Sequence, residues 1–300
     1  MNGCKICGEK NFQKIEFNNL FIKTHSNNKI VHDYESRLCD NCGVVYQYPQ
    51  ISDENVTKHY ETNFRNTQYS IKLSEDKKFD FPFQFETTGM SFQRFYQFHK
   101  IIENIKEKEE GLNFNKDNTF LDYGAYQGAF LYACNKIWGV NTIAYDHNDD
   151  GLKFAKNFLN ISHIYKTKNI LEDKFPHKVD LCSAIHVLEH LFDPLNFLLH
   201  VKKNILNNKG YVYIEVPSAL TSEYNNPTHQ FMFTKESLKN LFDLAGFKIL
   251  HISEERIYDY KRYKLLKRHV QTSINCLAST EGNNLKNSSF NIGKKLISNL

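Results

Sequence analysis

Four cysteines near the beginning of this 300-residue chain form two Cys-x-x-Cys pairs, Cys4 with Cys7 and Cys39 with Cys42. Two such pairs suit tetrahedral coordination of Zn²⁺ by four thiolates, whereas a redox-active motif is usually a single pair that begins a helix. Because four thiolates leave no open position on the metal, such a site stabilises structure and takes no part in a reaction. We therefore expect residues 1–58 to form a zinc ribbon that depends on the metal for its stability.

A second group of reactive side chains lies in the segment Ala184–Pro194, with the sequence AIHVLEHLFDP. His186, Glu189 and His190 have the spacing i, i+3, i+4, which would place them on one face of a helix. The string His-x-x-Glu-His also matches the inverzincin protease signature, but here it follows a predicted strand of a nucleotide-binding type of sheet. The same three residues could instead bind a metal ion that assists an oxygen nucleophile.

The segment Thr119–Leu131, with the sequence TFLDYGAYQGAFL, predicts a strand, a glycine-containing turn and a helix that begins at Ala129. Gly124 and Gly128 would let backbone N–H groups approach a ligand closely, and the helix N-terminus adds positive dipole character at the same place. The Gly-x-x-x-Gly spacing differs from the dinucleotide fingerprint, and such turns also occur for architectural reasons alone. The turn is a candidate nucleotide cradle.

Strands alternate with amphipathic helices from residue 92 onward, which predicts an α/β fold with a parallel, doubly wound, Rossmann-like sheet. The expected strands are Thr119–Asp122, Asn141–Tyr145, Ile164–Lys168, Val179–Ile185, Tyr211–Val216 and Phe247–Ile252. The expected helices cover residues 92–109, 151–158, 194–206 and 235–245, with Asp193–Pro194 and Thr234 as N-terminal capping signals. In such sheets, ligands bind beyond the carboxyl ends of the strands, where the topology switches.

Four polar residues fall at or just past the ends of these strands, namely Asp122, Asp146, Asn169 and His186. Asp146 follows Gly128 by 18 residues, a spacing that suits a carboxylate accepting the ribose hydroxyls of a nucleotide. It could alternatively cap the helix that follows it. Asn169 could bind an adenine edge or be an ordinary loop residue.

Composition limits the kinds of partner that the chain needs. The net charge of +4, from 38 basic and 34 acidic residues, is too small to demand a nucleic-acid partner. The first residues contain no secretory signal, and no run of 18 apolar residues occurs. We expect a soluble, cytoplasmic protein without a membrane span.

Taken together, these features resemble the class I S-adenosylmethionine-dependent methyltransferases over a domain of residues 92–257. Four segments carry the resemblance in family order: FLDYGAYQGAFL, IAYDHNDDGLKFAK, VDLCSAIHVLEHLFDPLNFLLHVKKNILNNKGYVYIEVPS and HQFMFTKESLKNLFDLAGF. A zinc ribbon followed by such a domain resembles the sugar methyltransferases of surface-polysaccharide and deoxysugar pathways. The resemblance implies S-adenosyl-L-methionine as cofactor and a small molecule, most simply a carbohydrate, as acceptor.

The resemblance also assigns roles to individual residues. It implies that Tyr60, in a lid-like connector of residues 59–91, covers the cofactor, and that Asp122, Gly124, Tyr126 and Gly128 lie at its methionine part. Asp146 is implied to bind the ribose, and Asn169 and Ile170 are implied to flank the adenine. His186 is implied to lie near the methyl group. Tyr126 departs from the family, which usually has a glycine there. His229 matches the family's acid–base position, and His186, Glu189 and His190 are further catalytic candidates. The tyrosine–glutamate pair that precedes this histidine in sugar C-methyltransferases is missing, which favours methylation of a sugar hydroxyl.

Two other interpretations remain open. An RNA methyltransferase could hold nucleic acid with the ribbon and the basic run Lys261–His269, although the motif for methylating base amino groups is missing after the fourth strand. A non-catalytic scaffold with a decayed cofactor site would be consistent with Tyr126. Residues 258–300 form a C-terminal extension that should supply the antiparallel seventh strand of the family's sheet, and the oligomeric state is not predicted.

Overall fold

The computed structural model describes residues 3–15, 34–52, 90–109, 112–167, 169, 171, 175, 177–219, 228–256 and 272–282. Tyr60, Ile170 and the basic run Lys261–His269 lie outside the described residues, as does most of the 59–91 connector. No helix within these ranges is long and apolar enough to cross a membrane.

The described residues form two sheets and five α-helices. The strands are β1 (Phe12–Ile15), β2 (Glu35–Cys39), β3 (Val45–Tyr48), β4 (Thr119–Tyr123), β5 (Asn141–Asp146), β6 (His163–Lys166), β7 (Val179–Ile185), β8 (Leu206–Pro217), β9 (Phe231–Met232), β10 (Lys248–Arg256) and β11 (Thr272–Ser279). The helices are α1 (Met90–Ile105), α2 (Ala129–Trp138), α3 (Asp149–Leu159), α4 (Pro194–His200) and α5 (Lys235–Leu244). A 3₁₀ turn covers Leu188–His190, and a π-helical turn covers Val201–Ile205.

Seven strands form the main sheet in the order β10-β11-β8-β7-β4-β5-β6. Five adjacent strands run parallel to one another, namely β6, β5, β4, β7 and β8, and β11 runs antiparallel to both β8 and β10. The predicted α/β fold with a Rossmann-like, doubly wound sheet is therefore confirmed. The order reverses between β4 and β7, so the polar residues that follow β4, β5 and β7 lie at the same carboxyl edge, beside the switch point.

The seventh strand of this sheet is β11, which lies beyond the boundary at residue 257. It inserts between β8 and β10, with Cys276 opposite Ile214 on one side and Ile252 on the other. All of its residues except the first are buried. The segment after Tyr258 thus supplies the strand that the family resemblance required.

Most predicted boundaries hold because strong local signals fix them. Asp193 accepts a hydrogen bond from the Asn196 N–H at 2.9 Å at the start of α4, and Thr234 accepts one from the Ser237 N–H at 3.1 Å at the start of α5. The predicted helix end at Leu206 and strand start at Tyr211 are wrong. The π-helical turn ends one residue before Leu206, where β8 already begins.

The small sheet has the order β1-β2-β3-β9, so its fourth strand comes from the C-terminal half of the chain. Val45 pairs with Met232 and Tyr46 with Phe231, both antiparallel. Several ribbon residues lie in the same buried cluster as the main sheet, namely Cys4, Ile6, Cys39, Cys42, Val44 and Tyr46. The ribbon consequently shares its core with the α/β domain.

Candidate functional site

The turn after β4 has alternate residues in the left-handed region of backbone conformation. Gly124 has φ 81°, Tyr126 φ 48° and Gly128 φ 73°. A non-glycine residue in this region is strained by roughly 1–2 kcal/mol because its Cβ approaches the carbonyl oxygen. Tyr126 therefore adopts, at a cost in strain, a conformation that a glycine would adopt without it.

The Tyr126 side chain lies against Gly151 in the first turn of α3. A Cβ atom at Gly151 would come within 2.7 Å of Tyr126 Cδ2 and within 3.0 Å of the Tyr126 backbone carbonyl. Gly151 is thus the residue that leaves room for the tyrosine. The ring packs on a neighbouring helix, which accounts for how a bulky residue fits into a turn of small residues.

Asp146, at the end of β5, holds this turn through its carboxylate. Its Oδ2 accepts a hydrogen bond from the Tyr126 N–H at 2.7 Å, and its Oδ1 accepts one from the Asn148 N–H at 2.7 Å. The alternative that Asp146 caps the next helix is wrong, because the cap is Asn148, whose side chain accepts the Gly151 N–H at 2.7 Å. Burial raises the pKa of Asp146.

Asp122, at the end of β4, is fully buried next to β7. The Ser183 hydroxyl donates a hydrogen bond of 2.7 Å to its Oδ1. Burial raises the pKa of Asp122 to about 7, with a further rise from Asp146, while Ser183 and Arg94 act in the opposite direction. A carboxyl group in this position changes its charge near neutral pH.

Asn169 forms a local turn, because its side-chain oxygen accepts the Leu171 N–H at 3.1 Å. This contact is consistent with a loop residue and leaves the predicted contact with adenine a prediction. The predicted cofactor contacts of Tyr60 and Ile170 also stay predictions, because both residues lie outside the described residues.

His186, Glu189 and His190 come together, but not on a helical face as the spacing predicted. His186 has φ 55°, and its N–H donates to the Glu215 carbonyl at 2.8 Å, extending the β7–β8 pairing by one residue. Only Leu188–His190 then forms a helical turn, of the 3₁₀ type. In this conformation His186 Nδ1 lies 3.3 Å and His190 Nε2 3.7 Å from Glu189 Oε1.

Glu189 is the buried centre of this cluster, with 1% of its side chain exposed. Burial opposes its ionisation, but the contact with His186 and the neighbouring histidines His190 and His229 lower its pKa to about 2. Burial and Arg94 lower the pKa of His186, and the contacts with Glu189 and Glu215 outweigh them and raise it. The ion pair is therefore favoured in the folded chain.

His229 joins the cluster from the segment between β8 and β9. Its ring lies 4.7 Å from the His190 ring, centroid to centroid, at 70°. Burial, followed by the nearby His190, lowers the pKa of His229 to about 3. Glu189, His190 and His229 each offer one ligand atom, and these three atoms lie within 4.8 Å of one another.

Glu215 and Arg94 were missed by the sequence analysis. Glu215, in β8, is fully buried, and its Oε1 accepts a hydrogen bond from His186 Nε2 at 3.0 Å. Arg94 of α1 places Nε 3.2 Å from the same oxygen. A glutamate inside the apolar strand sequence YVYIEVP was the signal that could have identified the first of these residues.

The four cysteines of the ribbon form a compact cluster. Cys4 and Cys42 Sγ atoms are 3.7 Å apart, those of Cys7 and Cys39 are 3.5 Å apart, and all four lie within 4.8 Å of one another. Thiolates in a tetrahedral zinc site with 2.3 Å bonds are about 3.8 Å apart, so these distances fit the metal. The residue after each pair, Gly8 or Gly43, donates its N–H to the carbonyl of the first cysteine, at 2.8 and 3.1 Å.

The glycine turn packs against the segment that carries the histidine–glutamate cluster. A Cβ atom at Gly124 would lie 2.4 Å from Cγ2 of Val187, the residue between His186 and the 3₁₀ turn. The segments that carry the two groups of polar residues are therefore neighbours at the carboxyl edge of the sheet.

Known proteins that are similar to this chain include a methyltransferase family and several solved methyltransferases. A family model described as a methyltransferase domain matches residues 92–252. A search of curated proteins found no match. A solved SAM-dependent methyltransferase from Archaeoglobus fulgidus is 22% identical, over 67% of this chain and 100% of that one, with a TM-score of 0.45. A SAM-dependent methyltransferase from Aquifex aeolicus is 15% identical, over 77% of this chain and 100% of that one, with a TM-score of 0.45. Geranyl diphosphate C-methyltransferase from Streptomyces coelicolor A3(2) is 10% identical, over 76% of this chain and 98% of that one, with a TM-score of 0.47.

Proposed function

The chain belongs to the methyltransferase-domain family, and on that premise we propose that it transfers a methyl group from S-adenosyl-L-methionine to a hydroxyl of a small molecule, most simply a sugar. The cofactor, when bound, supplies an electrophilic methyl group on a sulfonium with a good leaving group. The protein has to bind and orient the two reactants and to assist loss of the hydroxyl proton.

The contact between Gly124 and Val187 carries this proposal, because it joins a nucleotide-type cradle to a cluster of acid–base side chains. The turn of Gly124, Tyr126 and Gly128 would surround the methionine part of the cofactor. Asp122 lies near the end of β4, just before that turn, and Asp146, which accepts the Tyr126 N–H, would bind the ribose hydroxyls. An acceptor bound over Val187 would then meet the cofactor on one side and the histidines on the other.

The acceptor side of the site suits a hydroxyl group. A sugar hydroxyl is a poor nucleophile, so a histidine that accepts its proton is useful. We propose that His229 and His190 face the acceptor, while Glu189 and His186 keep the cluster in place. The neutral imidazole rings would supply a proton acceptor, and the buried Glu189 carboxylate would place a negative charge close to it.

The proposal of a carbohydrate acceptor is supported by the combination of a four-cysteine ribbon with this domain, which resembles the sugar methyltransferases. For the ribbon we propose that Cys4, Cys7, Cys39 and Cys42 hold a structural Zn²⁺. The sulfur–sulfur distances support this assignment, as do the two matching Cys-x-x-Cys-Gly turns. All ligands would be thiolates, so the metal would have no open position for a substrate.

The test is titration calorimetry of the zinc-loaded protein with S-adenosylhomocysteine, followed by methyl-transfer assays with a panel of nucleotide sugars. We expect micromolar binding, and turnover with a member of the panel. Asp146→Asn tests the role of the carboxylate charge in cofactor binding, because the asparagine side chain keeps one oxygen that can accept a backbone N–H but carries no negative charge. A folded protein that does not bind S-adenosylhomocysteine would refute the cofactor assignment, and turnover with RNA alone would refute the acceptor class.

A further inference from the structure

We propose that Glu189, His190 and His229 bind a divalent transition-metal ion beside the methyl-transfer site. The three side chains come from two separate parts of the chain, the 3₁₀ turn after β7 and the segment before β9. Each offers one ligand atom, and the three atoms lie within 4.8 Å of one another. The site is distinct from the four-cysteine cluster of the ribbon.

Glu189 is the first reason for this proposal. Its side chain is 1% exposed, and neither carboxylate oxygen has a hydrogen bond of normal geometry within the described part of the chain. Burying an ionised carboxylate without such partners is strongly unfavourable unless positive charge is close to it. The nearest cationic candidate is His186, with Nδ1 at 3.3 Å, and that ring is shared with Glu215. A bound cation would satisfy the remaining acceptor capacity of Glu189.

His190 is the second reason, because its other nitrogen is already used. Its Nδ1 lies 2.9 Å from the Thr228 carbonyl oxygen, and since a carbonyl only accepts, the proton sits on Nδ1. In the neutral ring Nε2 then carries a lone pair, and it lies 3.7 Å from Glu189 Oε1. Two lone-pair atoms at this distance repel each other unless a cation lies between them. A backbone carbonyl that fixes the tautomer of a histidine is the usual arrangement at a metal ligand.

His229 completes the set, because its ring contacts that of His190 and its ligand atom lies within 4.8 Å of those of Glu189 and His190. Even at separations of 4.8 Å, three ligand atoms would lie about 2.8 Å from their common centre, so shifts of less than about 1 Å would bring each to a metal bond of about 2.1 Å. His186 is not part of the set, because its two nitrogens face Glu215 and Glu189. The structure thus replaces one member of the triad that the His-x-x-Glu-His spacing suggested, with His229 standing in for His186.

The donor atoms indicate which metals would bind. Two imidazole nitrogens and one carboxylate suit Zn²⁺, Mn²⁺, Fe²⁺ or Co²⁺, whereas Mg²⁺ and Ca²⁺ prefer oxygen ligands alone. Three protein ligands leave positions open, and a cation at such a position lowers the pKa of a hydroxyl that binds it. This role rests on the proposed function and makes His229 a ligand instead of the base. The metal site itself does not depend on that function.

Mn²⁺ is the most selective probe, since it binds thiolates weakly and will not displace zinc from the ribbon. The zinc-loaded full chain is titrated with Mn²⁺, and the free ion is followed by electron paramagnetic resonance. We expect one Mn²⁺ per chain, with affinity at least about 100-fold lower in Glu189→Gln and in His229→Asn. Glu215→Gln is the matched control, a buried glutamate that also contacts His186, and it should retain the Mn²⁺.

S-adenosylhomocysteine binding is measured on the same samples, so the two proposals fail separately. If the wild-type chain binds the cofactor analogue but no Mn²⁺, the metal site is refuted and the proposed function stands. If Mn²⁺ binds equally to wild type and His229→Asn, the assignment of ligands is wrong. Should Glu189→Gln not fold, His229→Asn decides the outcome, since that side chain is partly exposed.

Discussion

Replacing Asp122 with asparagine should make the stability of the protein less dependent on pH. The carboxyl group is buried, and its pKa rises from 3.8 to about 7 in the folded chain. A raised pKa means that the folded state keeps a proton which the unfolded chain has already lost. Asp122 therefore stabilises the fold least above pH 7 and most below pH 4, and the loss occurs as the pH rises between these values.

The size of the effect follows from the two pKa values. Between pH 5.5 and pH 8 the wild-type chain should lose about 2 kcal/mol of unfolding free energy through this one group, at about 1.4 kcal/mol per unit of pKa. Asparagine has nearly the same shape and can accept the Ser183 hydrogen bond without carrying a charge. Between pH 5.5 and pH 8, the free energy of unfolding of Asp122→Asn should therefore decrease by about 2 kcal/mol less than that of the wild-type chain.

Urea denaturation of both proteins at half-unit pH steps from 5.5 to 8.5, with zinc present throughout, measures the difference. Titrating groups that both proteins share contribute equally to the two stability curves and cancel in their difference. The charges that shift the pKa of Asp122 are Asp146 and Arg94. Ser183→Ala is the control, because the Ser183 hydroxyl lowers the pKa of Asp122 and its removal should move the loss to higher pH. Parallel stability curves for wild type and Asp122→Asn would refute the reasoning.

Three further predictions concern packing and metal. Gly151→Ala should destabilise the fold by about 1–3 kcal/mol, because the new Cβ meets Tyr126 Cδ2 at 2.7 Å. This destabilisation should be smaller in a Tyr126→Gly background. Denaturant unfolding of the wild type, the two single variants and the double variant measures the difference. Gly124→Ala should weaken S-adenosylhomocysteine binding at least tenfold in calorimetry, since its φ of 81° and the Val187 methyl at 2.4 Å both oppose a side chain; unchanged affinity would place the cofactor elsewhere. Chelation of zinc should unfold the ribbon and lower the thermal midpoint, whereas Cys134→Ser, outside the cluster, should leave the zinc content at one ion per chain.

The order of strands and helices could be predicted because each element carries its own local signal. Val179–Ile185 is a mostly apolar run in which Asp180 and Ser183 are the polar members, and Asp193 and Thr234 are capping residues whose hydrogen bonds lie within three residues. β11 gave no comparable pattern. Its sequence TSINCLAS mixes polar and apolar residues on both faces, and its burial is decided by β8 and β10 on either side.

At the candidate site, contacts between residues that are close in sequence could be predicted, whereas contacts between distant elements could not. His186, Glu189 and His190 share one turn, so their meeting followed from spacing even though the helical face was wrong. The contact between Arg94 and Glu215 joins α1 to β8, and only the folded chain brings these elements together. For Tyr126, the sequence indicated a departure from the family but not that Gly151 makes room for it.

The pairing of β3 with β9 limits when the ribbon and the candidate site can be completed during synthesis. The ribbon lacks its fourth strand until residues 231–232 have emerged, and the same segment carries His229. At 5–20 residues per second, β3 spends about 10–40 s with an open edge after it has been made. An unpaired strand edge is a template for other chains, so the nascent ribbon is exposed to association with neighbouring copies during this interval. Final docking of β9 closes that edge and, in the same step, brings His229 to Glu189 and His190.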